Sequence, residues 1–204
     1  MSRAMTIASL TLTAVAALTA CGADNSPTKG TATNSASSDS DGTSPSETSG
    51  LDVPADWQSA SVEVAQLHVP PDWTLSSSGD LSLTARAPKD SVGISPGGAT
   101  FQGGVHAGSG DGEAAVEALA DLEEKPLTED VQNLKRLPNE TINGSIFYHF
   151  QGDTAYEWED HYGTVVPGGD RRVTVTWRFT KADIDRNGAE ALIDQIMPTY
   201  EVPD

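Results

Sequence analysis

Cysteine is nearly missing from this chain: Cys21 is the only one in 204 residues. Past that position there can be no disulfide framework, thiolate zinc site or cysteine nucleophile. Basic residues are scarce as well, with 12 Lys plus Arg against 30 Asp plus Glu and a formal net charge of −18. A nucleic-acid partner would need a basic face against its phosphates, so that class is excluded. A supplementary electrostatic contact with anionic lipid is excluded on the same ground. An acid excess of this size serves solubility, or it recruits cations or a basic partner. Long apolar runs are also lacking. The one uncharged stretch, Ala4 to Ala20, falls short of the roughly 20 residues that a bilayer requires. It is also diluted by Thr6, Ser9, Thr11, Thr13 and Thr19. Without staples or a membrane span, the rest of the chain must be held together by its own core. Residues 51–204 are long enough to bury about two-thirds of their unfolded surface as one domain.

The chain opens with one basic residue, Arg3, then the uncharged stretch, then small residues before Cys21. That is the layout of a secretory signal. Leu18-Thr19-Ala20-Cys21 resembles a bacterial lipobox, and the resemblance implies cleavage after residue 20 with diacylglycerol joined to the Cys21 thiol. The expectation is a signal peptide over 1–20 and a membrane anchor at Cys21, with the protein on the extracytoplasmic face of the cell membrane. Two or more acyl chains hold a protein to a bilayer stably, where one does so only reversibly. In Gly22 to Gly50, 13 of 29 residues are Ser or Thr and none is more apolar than alanine, so the segment cannot bury enough to fold. Residues 21–50 thus form a lipidated, disordered tether with a typical reach of about 30 Å.

From Leu51 strand-like alternation sets in. Ala65 to Val69 predicts a strand that ends at Pro70-Pro71. Trp73 to Ser77 and Leu81 to Ala87 predict a hairpin around Ser78-Gly79-Asp80, and Thr100 to His106 a further strand. A helix is expected from Glu113 to Glu124, with Ala115, Leu119 and Leu122 on one face, Ala118 beside them, and Lys125-Pro126 as its stop. Asn143-Gly144 joins two more strands as a two-residue hairpin. Around Pro167-Gly168-Gly169-Asp170, pairing Val166 with Arg171 puts Glu159 opposite Arg178, Asp160 opposite Trp177 and Tyr162 opposite Val175. Val173, Val175, Trp177 and Phe179 are then buried, while Arg172, Thr174, Thr176 and Arg178 are wet. Asn187 is read as opening a last helix, with Glu190 as its capping-box partner and Ala189, Leu192, Ile193 and Ile196 as its apolar stripe. The fold class expected is α+β, a curved antiparallel sheet of about six or seven strands flanked by helices.

Few constellations carry chemistry. Gly93-Ile94-Ser95-Pro96-Gly97 has nucleophile-elbow spacing, but Pro96 has no backbone N–H to offer an oxyanion, so a plain loop is the reading. Asp183, Asp185, Asn187 and Asp194 echo a calcium loop, yet Glu190 occupies a normally apolar place and a strand precedes. Helix-entrance capping accounts for the same residues, and no metal is assigned to them. Glu157, Glu159 and His161 share a strand face suited to a metal, with His149 as a fourth ligand if its strand is adjacent. The competing account pairs Glu159 with Arg178 and leaves the others solvated. Trp73, Trp158 and Trp177 fall on faces that must be buried. A ligand groove lined by Tyr156, Trp158, Asp160 and Tyr162 is the alternative. Asp160 interrupts that apolar face, and a buried carboxylate needs a partner where a cleft-lining one does not. None of these patterns calls for a cofactor.

The early strand running into Pro70-Pro71-Asp72-Trp73, the mid-chain helix, the Asn143-Gly144 hairpin, two long strands and the ending Leu192-Ile193-Asp194-Gln195-Ile196-Met197-Pro198-Thr199-Tyr200 together resemble a family. It is the PsbP-like class of actinobacterial secreted lipoproteins, and the likeness covers about residues 65–202. It implies a PsbP-like domain over 51–204. It also implies a non-enzymatic role, as a binding or accessory subunit for a cell-envelope protein, with no catalytic residue to carry over. Carriage of a small amphiphilic or lipidic ligand is the alternative function.

Overall fold

A computed structural model describes residues 53–89, 95–108 and 110–203. The signal stretch, Cys21 and the tether lie outside the described residues, as do Gly93 and Ile94 of the Ser95 loop. Two strands, β1 (Gln58–Val62) and β2 (Ala65–Val69), form a separate antiparallel hairpin. Seven others build one antiparallel sheet: β3 (Thr74–Ser77), β4 (Ser82–Arg86), β5 (Gly97–Val105), β6 (Gln132–Ile142), β7 (Ser145–Asp153), β8 (Glu157–Val165) and β9 (Arg171–Thr180). Their spatial order is β3-β4-β5-β9-β8-β7-β6. With α1 (Glu113–Asp130) and α2 (Arg186–Ile196), this is the expected α+β architecture. No helix among the described residues is long and apolar enough to cross a membrane.

The sheet has two covered faces. Alternation on β9 sends Val173, Val175, Trp177 and Phe179 into the larger core, where they meet the β1–β2 hairpin and Ala189, Ile193 and Ile196 of α2. On the opposite face α1 buries Ala115, Val116, Leu119 and Ala120 against Tyr148, Phe150 and Val165. Tyr148 leans over Gly163 so closely that a Cβ there would meet the ring at 2.3 Å. The β8–β9 register is the expected one, with Glu159 opposite Arg178, Asp160 opposite Trp177 and Tyr162 opposite Val175. Asn143 and Gly144 both take the left-handed conformation that a two-residue hairpin demands.

Three local readings need correction. Helix α1 does not stop at Lys125-Pro126 but runs on to Asp130. Proline deprives only the Leu122 carbonyl of its bond, and Leu122 is 66 % exposed, so the freed carbonyl lies on the solvent side of the helix. The buried stripe is also rotated: Val116 and Ala120 face the sheet, and Leu122 and Ala118 do not. Small residues at 115 and 120 make room for the rings of Tyr148 and Phe150. The last helix starts at Arg186, so the N-cap is Asp185 rather than Asn187, and its carboxylate accepts from Gly188 N at 2.8 Å. Glu190 does not close a capping box; it binds Arg186 and Gln151. Asp185→Ala should therefore cost about 1 kcal/mol in a denaturant melt through the lost cap, and excess calcium should not shift the midpoint of either protein.

Candidate functional site

Strand β8 positions a buried carboxylate on each side of the sheet. On the α1 side, Glu159 is 3 % exposed and sits beneath the half-exposed Arg178. His161 Nε2 donates to Glu159 Oε2 at 2.9 Å, and Arg178 Nε lies 3.3 Å from Oε1. The ion pair with Arg178 agrees with the register, but its burial corrects the exposed placement of Glu159. The C-terminal turns of α1, from Glu123 to Asp130, stand beside His161 and Arg178 on this face of the sheet. Burial pushes the Glu159 carboxyl up, yet the His161 hydrogen bond and the Arg178 charge outweigh it and hold the group below the usual carboxylate range. A depressed folded-state pKa contributes stability above the unfolded value of about 4.3, and that stability is lost as pH falls through the folded one. Glu159→Gln should then be less stable at pH 7 by about 1–3 kcal/mol, and the gap to wild type should close below about pH 4. A gap that stayed constant in melts from pH 7 to pH 3 would remove the carboxylate from this role.

On the α2 side, Asp160 is 2 % exposed and fully engaged. His149 Nε2 donates to its Oδ1 at 2.8 Å, and Arg186 Nη2 reaches Oδ1 at 2.7 Å and Oδ2 at 2.6 Å. The other ring nitrogen of His149, Nδ1, lies 2.8 Å from Glu140 Oε1. Arg186 Nε holds Glu190 Oε1 at 2.9 Å, and Gln151 donates to the same oxygen at 3.1 Å. Tyr162 stacks on His149 with ring centroids 4.0 Å apart. Burial first, then the Glu140, Asp160 and Asp194 charges, pushes the Tyr162 phenol well above its ordinary value, so it stays protonated. Apart from Arg186, which braces them from behind Asp160, these side chains and Ile193 of α2 line a recess of about 190 Å³ open to solvent.

This recess brings together some sequence candidates and separates others. Asp160 and Tyr162 line it, and Asp194 stands at its rim. Trp158 lies to one side, its indole donating to Ile184 O at 3.2 Å under the Lys181 ammonium. Tyr156 is 79 % exposed at the turn before β8, so the four residues do not form one aromatic groove. Asp183 is exposed, Asp185 caps α2, and Asn187 lies exposed in its first turn, apart from Asp194. His149 is on the strand next to β8, but it pairs with Tyr162 and so joins Asp160 rather than Glu157, Glu159 and His161. Among the described residues, no group of three or more His, Cys, Asp or Glu is arranged to hold a metal. Ser95 donates to Ala87 O at 2.7 Å and accepts from Gly97 N, as a loop residue does. Trp73 and Trp177 are core, in edge contact at 6.4 Å. Sequence reasoning missed Glu140 and Arg186; the available signal was Asp160 itself, a carboxylate on an apolar strand face that needs a partner.

No family model matches the chain, and no curated protein sequence does. Among solved structures, a crystal structure of a protein from Bacteroides thetaiotaomicron VPI-5482 is similar over 69 % of this chain, at 11 % identity and a TM-score of 0.40. The chain spans 45 % of the length of that protein. A likeness at that level carries no argument, and the fold assignment stands on strand order and pairing.

Proposed function

We propose that this chain is a non-enzymatic lipoprotein, anchored to the outer face of a cell membrane through Cys21, that serves as a binding or accessory subunit for an envelope protein. The observation that carries the reading is the open recess between β8 and α2. Its walls are held by Asp160, His149 and Arg186 in a single hydrogen-bonded arrangement, so little ordering remains to be done on binding. At about 190 Å³ it is smaller than the roughly 300–1,000 Å³ of small-molecule sites, and it suits one side chain of a partner. Its charged lining favours a protein segment over the amphiphilic ligand of the carrier reading. The PsbP-like resemblance and the tether, with clearance of about 30 Å, support the same role.

Photo-crosslinking from the recess in intact membranes, followed by identification of the captured proteins, tests the role. One envelope protein, enriched over a probe placed at exposed Asp183, is the expected result; equal capture from both positions would sink it. Anchoring is tested separately. Cys21→Ser removes the only thiol, so the variant should be mis-processed and appear in the medium. Normal membrane retention would overturn the anchor.

A further inference from the structure

We propose that the α2-side recess binds a lysine side chain of the partner protein, with the primary ammonium seated among Glu140, Glu190, Asp194 and the Tyr162 hydroxyl. The inference rests on the reading of this recess as the partner-binding site and names the chemistry it selects. It starts from Tyr162, which is 4 % exposed, lines the recess and makes no hydrogen bond through its hydroxyl to any described residue. The hydroxyl is not fully enclosed, so within the open recess it meets water that a ligand's donor can replace.

The acceptors around it point to a cation. Both oxygens of Asp160 are already engaged by Arg186, and one by His149 as well, so it serves to position the wall. Glu140 and Glu190 each use one carboxylate oxygen, Oε1, within the protein and leave the other unengaged. Asp194 pairs with no described residue. The available oxygens thus come singly from β6, β8 and two turns of α2. An ammonium has three donors on one atom and matches acceptors offered singly around one recess. A guanidinium is a planar fork that prefers both oxygens of one carboxylate, and Arg186 already takes those of Asp160. Ile193 and the Tyr162 ring supply an apolar wall for the four-carbon stem. The charge of −18 on the whole chain concentrates cations near such a cleft, though field alone does not select lysine.

The experiment titrates the full chain in detergent micelles, by NMR, with N-acetyl-lysine methylamide, its arginine analogue and the uncharged norleucine analogue. Saturable binding of the lysine compound is expected, with shifts confined to Tyr162, Ile193 and their neighbours. Arginine should bind at least fivefold more weakly, and norleucine not measurably. Asp194→Asn, which alters an exposed side chain and leaves the Asp160 network intact, should weaken lysine at least fivefold; adding Glu140→Gln should deepen the loss. Asp183→Asn, an equal charge change elsewhere, should have no effect. Equal binding of lysine and arginine, or equal losses in Asp194→Asn and Asp183→Asn, would reduce the effect to general attraction and overturn the proposal. Crosslinked partner capture is then compared in the same variants. Lysine binding without a captured partner would leave the lysine site standing and overturn the accessory role. Capture unchanged in a variant that has lost lysine binding would keep the role and overturn the site.

Discussion

Trp177→Ala should destabilise the domain by about 3–5 kcal/mol in urea or thermal melts, among the largest effects of any single truncation here. The indole is fully buried at the centre of the sheet, stacked on Phe179 at 6.1 Å and edge-on to Trp73 at 6.4 Å. Its strand, β9, is hydrogen-bonded on both sides, to β5 and β8, so the backbone cannot close over the space left behind. The cost is therefore the lost transfer energy together with an open cavity. A loss below about 1.5 kcal/mol, the range of a volume-conserving swap, would mean that this face of the sheet is not the principal core.

Asp160→Asn should cost a comparable amount, about 3–5 kcal/mol, for an unrelated reason. The amide keeps the shape but removes the charge facing both Arg186 and His149. It also turns an N–H₂ toward one of two groups that only donate in this arrangement. Because Asp160 is 2 % exposed, little water reaches the groups it leaves behind. Chemical denaturation of the variant at pH 7 measures the cost directly. Unchanged stability would make Asp160 a simple lining residue of the recess, with its partners held by other contacts. The double variant Asp160→Asn, Arg186→Met should recover part of the loss, since it removes the guanidinium whose Nη2 has lost its carboxylate, although its Nε keeps Glu190.

How far the sequence reading reached depends on how local each feature is. The β8–β9 pairing follows from a short turn and an alternating strand, so Val166 and Arg171 sufficed to place Asp160 opposite Trp177. The Asn143-Gly144 hairpin was legible in the same way. Helix α1 was read too short because a proline rule about interiors ignores which carbonyl is left free and where it points. The recess was half visible. Asp160 stood out as a charge on an apolar face, but its partners come from β7 and α2, with Glu140 of β6 behind His149, and no local pattern shows which strands lie side by side. His149 illustrates the difficulty: adjacency to β8 could be entertained, yet only the register settles which face it shares. Arg186 was hidden because the cap was placed at Asn187, two residues past the true N-cap Asp185.

The pairing of β5 with β9 has a consequence for how the chain comes into being. Strands β6 to β9 are consecutive neighbours, and so are β3 to β5, but the two runs meet only when Gly97–Val105 finds Arg171–Thr180 across residues 106–170. During synthesis the first run is complete long before its remaining neighbour exists, and β5 must wait with an open hydrogen-bonding edge. Non-local closure of this kind is slow, because chain entropy is lost before any contact repays it. The last strand of the sheet to be made is thus the one that joins its two halves, and a nascent chain shorter than Thr180 has no way to complete its core.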